Sequence, residues 1–441
     1  MDNSSLGRPP GDVANFDLLA GAAKLLFVSG QTTERLMATV TQLASALGLR
    51  AKLFPRWGEL VVQVEAEAGA RQEIIAAAPT GVDMGKVAAL LRAIDDLSES
   101  RADPNEVRAV LDAVAHLPPV SLARFASLAA AGAAALGVIF GAAHPLSLVL
   151  IALSAGAGAC LRRWLAGISH NPFVQPFCAA LLAGVVGAVV VRFQLSSGLR
   201  LVAVCPCMVL VPGRHILSGA LDLARGRVAL GAARICYASL IVLMICTGLL
   251  VGLATGGVTL PVSGSSIPVP LGFDVIAAGV AVAAYGTFFS MPWRLLPIPM
   301  LIGMAAHAAR WVVIAVGGAS VETGALVACL VVGVVATPLA DRLRVPFAAF
   351  AFASVVSLIP GVFLFRMAGG LVGLMNLGAK APPGLLVGAV ADGTTALLII
   401  LAMTFGLIVP KLIIEHLWPS LARPSWGSVT RRVAAGSAPR P

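Results

Sequence analysis

From Pro118 to Val409 the chain is an almost unbroken succession of apolar stretches. Most come close to the roughly 20 residues that a helix needs to cross about 30 Å of hydrocarbon. Nothing else limits the fold so tightly, because backbone polar groups inside lipid must be satisfied within the segment, and helices do that. Spans are expected near 120–142, 145–161, 173–191, 199–213, 228–254, 271–290, 295–316, 322–340, 345–362 and 384–409. Composition agrees: 58% of the 441 residues are hydrophobic and 12% are charged, against about 25% charged in an ordinary soluble domain. The 46 glycines suit helices that approach closely in lipid.

Charge divides the chain. Residues 1–117 carry 11 Lys and Arg against 15 Asp and Glu, a net of −4, whereas residues 118–441 carry 20 against 6, a net of +14. The excess of cations therefore belongs to the apolar part. With the N-terminus inside, Arg162, Arg163, Arg214, Arg225, Arg227, Arg294, Arg342 and Arg344 fall in inner loops, and Arg192, Arg200, Arg366 and Lys380 in outer ones. That asymmetry predicts N-in, C-in topology in a bacterial inner membrane. No basic stripe interleaved with aromatics and no zinc-finger spacing appears, so no nucleic-acid partner is expected.

Residues 1–15, rich in Pro, Gly and Asp, read as a flexible N-terminus, and residues 410–441 as a basic, disordered tail. Between the first of these and Pro118, residues 16–117 read as a small α+β domain. Two amphipathic helices end at Gly30 and Gly48, strands follow in RAKLFP, GELVVQVEA and RQEIIAAA, and two further amphipathic helices cover Val82–Ser98 and Pro104–His116. The N-terminus lacks the basic start and apolar core of a cleaved signal, so this domain is expected to stay in the cytoplasm.

Spans four and nine are short, and each ends in Pro-Gly: Pro212-Gly213 in CPCMVLVPG and Pro360-Gly361 in SVVSLIPG. Pro212 lies 92 residues after the start of the first module (118–255, first span from 120), and Pro360 lies 89 after the start of the second (271–409). Five spans per half is odd, so the second half must enter the membrane from the opposite side. The expected fold is thus membrane all-α, ten transmembrane helices as a five-plus-five inverted repeat after the α+β domain. Broken spans at matched positions of opposed halves point to a transporter's binding site, since a broken helix exposes N–H and C=O groups that hold a polar solute. The bland alternative is that Pro-Gly merely ends a helix before a turn.

At these residues the chain resembles the bacterial threonine/serine exporter family. SGQTTERLMATVTQLASALGL in the front domain is similar to that family's small-residue-plus-Arg helix, and LVPGRHILSGALDLARGRVALGAAR to its Pro-Gly loop and Asp-containing helix. Pro212, Gly213, Asp222, Gly226, Gly231 and Arg234 match the motif, while Leu217-Ser218 and Leu221 depart from it. MPWRLLPIPMLIG, the span carrying His307 and Arg310, and SLIPG resemble the second membrane module. The resemblance implies export of small polar amino acids, chiefly L-threonine and L-serine, driven by the proton gradient, with protons, the solute and the bilayer as partners.

Ionisable groups inside spans are costly and face the bundle interior or a cavity. His307 and Arg310 in span seven and Asp392 in span ten are the candidates. Arg310 and Asp392 lie at similar depths, roughly 22 and 18 Å from the inner end at 1.5 Å per residue, so an Arg310–Asp392 pair is geometrically possible. They would meet the solute's carboxylate and ammonium, or Asp392 or His307 would carry the coupled proton; the alternative is a structural ion pair and a buried His bonded to a carbonyl. Asp274, Glu322 and Arg192 lie near span ends, where snorkelling to water explains them. Asp222, Arg225 and Arg227 read as a surface helix or inner gate.

Other chemistry finds little support. Cys205-Pro-Cys207 reads as two small hydrophobes and not as a metal site. The Ser263-Gly264-Ser265-Ser266 run lacks a nucleophile elbow, and neither His-Glu-x-x-His nor a phosphate loop with Lys is present. The front domain has a single histidine, His116, at its end. A secondary carrier without cofactor or metal is therefore expected, and not an enzyme. An exporter of another small polar metabolite, or a membrane-anchored enzyme or sensor acting through the front domain, are the alternatives.

Overall fold

The computed structural model describes residues 10–66, 69–142, 144–169, 171–194, 199–260, 269–343 and 345–417. The Ser263–Ser266 run, Arg344, residues 1–9 and the tail from 418 onward lie outside the described residues.

The N-terminal part contains α1 (Pro10–Val28), α2 (Thr33–Ala46), β1 (Arg50–Arg56), β2 (Gly58–Ala66), β3 (Gly69–Ala77), α3 (Met84–Ser98) and α4 (Pro104–Ala115). The strands form one antiparallel sheet in the order β1-β2-β3, with Leu53 paired to Val62 and Leu60 to Ile75. Alternation in β2 sends Leu60, Val62 and Val64 inward against Leu19, Leu26, Phe27, Leu36 and Leu43. Pairing of Arg56 with Glu59 leaves a two-residue hairpin loop, Trp57-Gly58, and Gly58 supplies the required positive φ of 89°. Asp103 and Glu106 close a reciprocal cap at the start of α4. α1 opens at Pro10, inside the stretch expected to be flexible, because proline is tolerated in a helix's first turn.

Six helices form the first membrane half: α5 (Leu122–Ile139), α6 (Pro145–Ala166), α7 (Val174–Arg192), α8 (Leu199–Met208), α9 (Gly213–Ala224) and α10 (Val228–Ala254). The second half holds α11 (Leu271–Phe288), α12 (Pro297–Trp311, continued by a π-helical turn to Val316), α13 (Val321–Arg342), α14 (Phe347–Val355), α15 (Gly361–Leu377) and α16 (Pro383–Leu417). Among the described residues nine segments are long and apolar enough to cross a membrane, or ten if the bent α8–α9 pair is one span. Large apolar side chains such as Leu153, Phe273, Leu301 and Phe405 are more than half exposed on the bundle's outer surface, as a lipid-facing surface demands.

Two stretches differ from expectation. Residues after Pro360 form a further helix, α15, because the chain restarts a helix at Gly361 instead of turning back. The last helix passes straight through Pro410 to Leu417, well beyond residue 409; its 35 residues measure about 52 Å, more than the hydrocarbon needs. The surplus carries Lys411 up to Glu34 of α2, 3.1 Å away.

Corresponding helices of the two halves pack alike. The most extensive contacts are α7 on α10 and α13 on α16, and in each half the first helix also packs on the second, the second on the third, and the last on the helix before it. Small residues make the close crossings: a Cβ on Gly252 would lie 2.8 Å from Gly184 Cα, and one on Gly406 would lie 2.9 Å from the Leu326 carbonyl. α5 and α11 join the halves face to face, Gly132 meeting Ala284.

Candidate functional site

Both broken helices use the same backbone device. Pro212 has φ −80°, ψ 58°, and Gly213 N–H donates to the Val211 carbonyl at 2.8 Å. Pro360 has φ −78°, ψ 44°, and Gly361 N–H donates to the Ile359 carbonyl, also at 2.8 Å. Each is an inverse γ-turn centred on proline. Because Gly213 turns to Val211, the Val209 carbonyl loses the amide partner that a continuing helix would supply. α8 and α9 consequently diverge by 55°.

The two breaks face each other. A Cβ on Gly213 would collide with the Ile359 side chain, and one on Gly361 would lie 3.3 Å from Met208 Cγ and 3.4 Å from a Val211 methyl. Glycine at position 213 is what allows this approach, whereas the contact at Gly361 is looser. Tyr285 of α11 donates its hydroxyl to the Met208 carbonyl at 3.3 Å, bracing the first break.

On the side of the bundle that carries α1–α4, the near side, a cavity of about 370 Å³ opens from the first break. Val209–His215 form one wall; Phe125, Arg162, Gln175, Tyr237 and Tyr285 stand around it, and Thr80-Gly81-Val82 of the N-terminal part close the floor. Both tyrosines of the chain are on this wall. Among the described residues, no Asp or Glu lines it.

The floor is tied down. Arg214 donates through Nη2 to the carbonyls of Pro79 (3.1 Å) and Gly81 (2.9 Å), and His215 Nε2 lies 3.2 Å from the Pro79 carbonyl. Trp57, at the hairpin tip, stacks obliquely on Tyr237 at 5.0 Å, and Tyr237 lies 5.1 Å from the His215 ring. Met84 N–H donates to the Phe289 carbonyl at 2.8 Å, and Asp83, whose side chain caps α3, has its pKa raised by burial in this joint. Asp222, almost fully buried, accepts from Thr33 Oγ1 at 3.0 Å and meets Arg227 and Arg234 at 3.3 Å each. Glu34 pairs with Arg225 and Lys411.

Residues 17–256 match the threonine/serine exporter family model ThrE, and residues 274–413 match the second threonine/serine exporter model of that name. The chain belongs to the threonine/serine exporter family. Neither a curated protein nor a solved structure matches it. The boundary between the two family matches falls between α10 and α11, where the two membrane halves meet.

In this exporter-family chain the sequence's candidate residues fall into separate groups. Pro212, Gly213, Pro360 and Gly361 come together at the centre. Asp222 joins the N-terminal part to α9 and α10 and does not line the main cavity. His307 is fully buried, with Nδ1 3.1 Å from Asp274 Oδ2 and Nε2 3.0 Å from Ser357 Oγ, in the turn that precedes the second break. Asp274 therefore does not snorkel: it is buried and is the charged neighbour of both His307 and Arg310. The Arg310–Asp392 pair is not formed. Asp392 pairs instead with Arg366 at 3.0 Å, because α15, read as loop, brings Arg366 alongside α16. Phe289, at the far end of α11 from Asp274, touches the N-terminal part, so Asp274 lies on the far side, about 22 Å away at 1.5 Å per residue.

Arg162, Arg214, His215, Tyr237 and Tyr285 escaped the sequence reading. The arginines served there only as topology markers, and the aromatic residues sit in apolar spans without a motif. The scarcity of tyrosine was the available signal.

Proposed function

We propose that this protein exports L-threonine, L-serine and closely similar amino acids by exchange for protons, taking the solute from the near side through the paired breaks. The observation that carries the reading is the pair of Pro-Gly γ-turns that face each other, the first of them forming a wall of a 370 Å³ cavity. That volume accommodates one small amino acid with a few waters. Family membership supports the solute class.

The halves are related as a five-plus-five inverted repeat, in which α8–α9 corresponds to α14–α15. Matched γ-turns, matched packing partners and opposed chain direction support this relation. The excess of Arg and Lys on the near side supports a cytoplasmic N-terminal domain and a bacterial inner membrane.

His307 carries the proton. It is fully buried, bonded to a carboxylate and, through Ser357, to the residues just before Pro360, so its charge is felt at the second break. Arg366–Asp392 locks α15 to α16. Asp222 and Glu34 hold the N-terminal domain over the cavity's near mouth.

Counterflow in proteoliposomes with labelled threonine, with and without an imposed pH gradient, tests the proposal. Threonine and serine should exchange, and a gradient should drive accumulation. Absence of threonine and serine exchange overturns the substrate assignment; exchange indifferent to the gradient overturns the coupling.

A further inference from the structure

Among the described residues, several arginines of the membrane helices have partners. Arg214 donates to two carbonyls, Arg234 meets Asp222, Arg366 meets Asp392, Arg310 lies by Asp274, and Arg124 donates to the Met291 carbonyl at 2.6 Å. Arg162, one turn before the end of α6, differs. Its Nε is buried without a hydrogen-bond partner, and among the described residues no Asp or Glu pairs with it. Its charged neighbour is another cation, Arg163, which is itself committed to the Val120 carbonyl. What lies near its guanidinium is the Phe125 ring, 5.8 Å from Cζ.

We infer that Arg162 is the residue that binds the solute's carboxylate in the near-side cavity. The inference rests on the transport reading above and deepens it. An unpaired guanidinium in a low-dielectric wall is unfavourable unless an anion completes it. Arg162 lines the cavity beside Val209 and Leu210, at the first break. Its planar fork matches a carboxylate in bidentate geometry. The cavity's other basic lining groups, Arg214 and His215, add no negative charge, and the N-terminus of α9, with its partial positive charge, opens into the same space.

The remainder of the cavity suits the rest of an α-amino acid. The Val209 carbonyl, left without its helical partner, accepts from an ammonium group. The faces of Phe125 and Tyr237 attract the same cation. Gln175 offers an amide to a side-chain hydroxyl. The ligand class is therefore a small zwitterionic monocarboxylate, held through its carboxylate first. Amines and alcohols of the same shape should be rejected.

The test uses the full chain, in proteoliposomes for exchange and in detergent for thermal unfolding. L-Threonine, L-threoninol and L-threonine amide are compared on wild type, Arg162→Ala and Arg162→Lys. Wild type should exchange threonine and discriminate against both analogues. Arg162→Ala should raise the KM for threonine about 10- to 100-fold, the range for one charge-assisted bidentate contact, and Arg162→Lys should fall between. Without ligand, Arg162→Ala should unfold at the wild-type temperature or above it, since it removes a partly buried charge that has no counter-ion among the described residues; a merely structural arginine would give the opposite shift. An unchanged KM in Arg162→Ala, equal competition by threoninol, or a lower unfolding temperature without ligand would each overturn the inference.

A second readout separates this failure from that of the transport reading. Small carboxylates (threonine, alanine, lactate) and their amides are titrated in the unfolding assay. Stabilisation of wild type by the carboxylates alone, lost in Arg162→Ala, supports the anion site even if threonine is not exchanged. Stabilisation that survives Arg162→Ala, or none by any carboxylate, refutes it.

Discussion

The two broken helices share a backbone but not an environment. At the first, the γ-turn of Pro212 opens onto a 370 Å³ cavity walled by arginines and aromatic rings and floored by the N-terminal domain. At the second, the γ-turn of Pro360 is preceded by Ser357, which lies against the fully buried His307 with Asp274 behind it. One break thus offers a polar space of solute size, and the other a closed, protonatable cluster. Two breaks built on the same backbone device can differ in this way because the device needs only Pro, Gly and small neighbours. The charge around it is set by side chains on other helices.

The largest expected effect distinguishes the breaks sterically. Gly213→Ala must displace Ile359 from the contact between the halves, and export should fall about 100-fold, the cost of an ångström-scale misplacement at a working site. At Gly361 the nearest atoms are 3.3 and 3.4 Å from a Cβ, so Gly361→Ala should lose about tenfold or less. Initial efflux rates at matched expression check this. Equal losses would remove the asymmetry.

Next comes the proton. His307→Gln and Asp274→Asn should each abolish gradient-driven accumulation and leave threonine exchange measurable without a gradient. A gradient response equal to wild type would take the proton away from this cluster. Asp392→Asn is the counterpart at α15–α16. It leaves Arg366 without its acid and should cost about 1–3 kcal/mol of stability, while the pH dependence of transport stays that of wild type. A shifted pH profile would transfer the coupling role to Asp392.

The smallest effect concerns the joint below the first break. Burial raises the pKa of Asp83, so the folded state favours its protonated form more than the unfolded state does. Stability from this group is complete below the ordinary carboxylate value of 3.8 and is lost as pH rises through the raised one. Asp83→Asn removes that dependence. The wild type should therefore weaken relative to Asp83→Asn as pH climbs across this window, as read from unfolding temperatures. A difference independent of pH would mean that Asp83 does not feel the joint.

Much of the architecture was legible because it rests on local rules. Apolar length marks spans, and alternation in GELVVQVEA marks a half-buried strand. Capping residues such as Asp103 mark helix starts. The paired breaks were legible too, since Pro and Gly act on the backbone whatever surrounds them. The partnerships were not. Depth along the spans allowed Arg310 to meet Asp392, but depth gives no azimuth. Helical rotation turned Asp392 toward Arg366, on a helix whose existence after Pro360 was hidden by the assumption that Pro-Gly ends a span. Asp274 read as a snorkelling end residue because hydropathy cannot tell a lipid-facing first turn from one packed against a neighbouring helix.

By itself the sequence determined that the chain is built of apolar segments long enough to cross a membrane, where two of its helices must break and which end is soluble in character, since chain composition and backbone stereochemistry act within a few residues. Only the tertiary structure decided that the breaks oppose each other, that the N-terminal domain closes the near mouth and that, among the described residues, Arg162 has no counter-charge. Those facts depend on which residues, hundreds apart in the chain, come within a few ångströms, and long-range packing alone sets that.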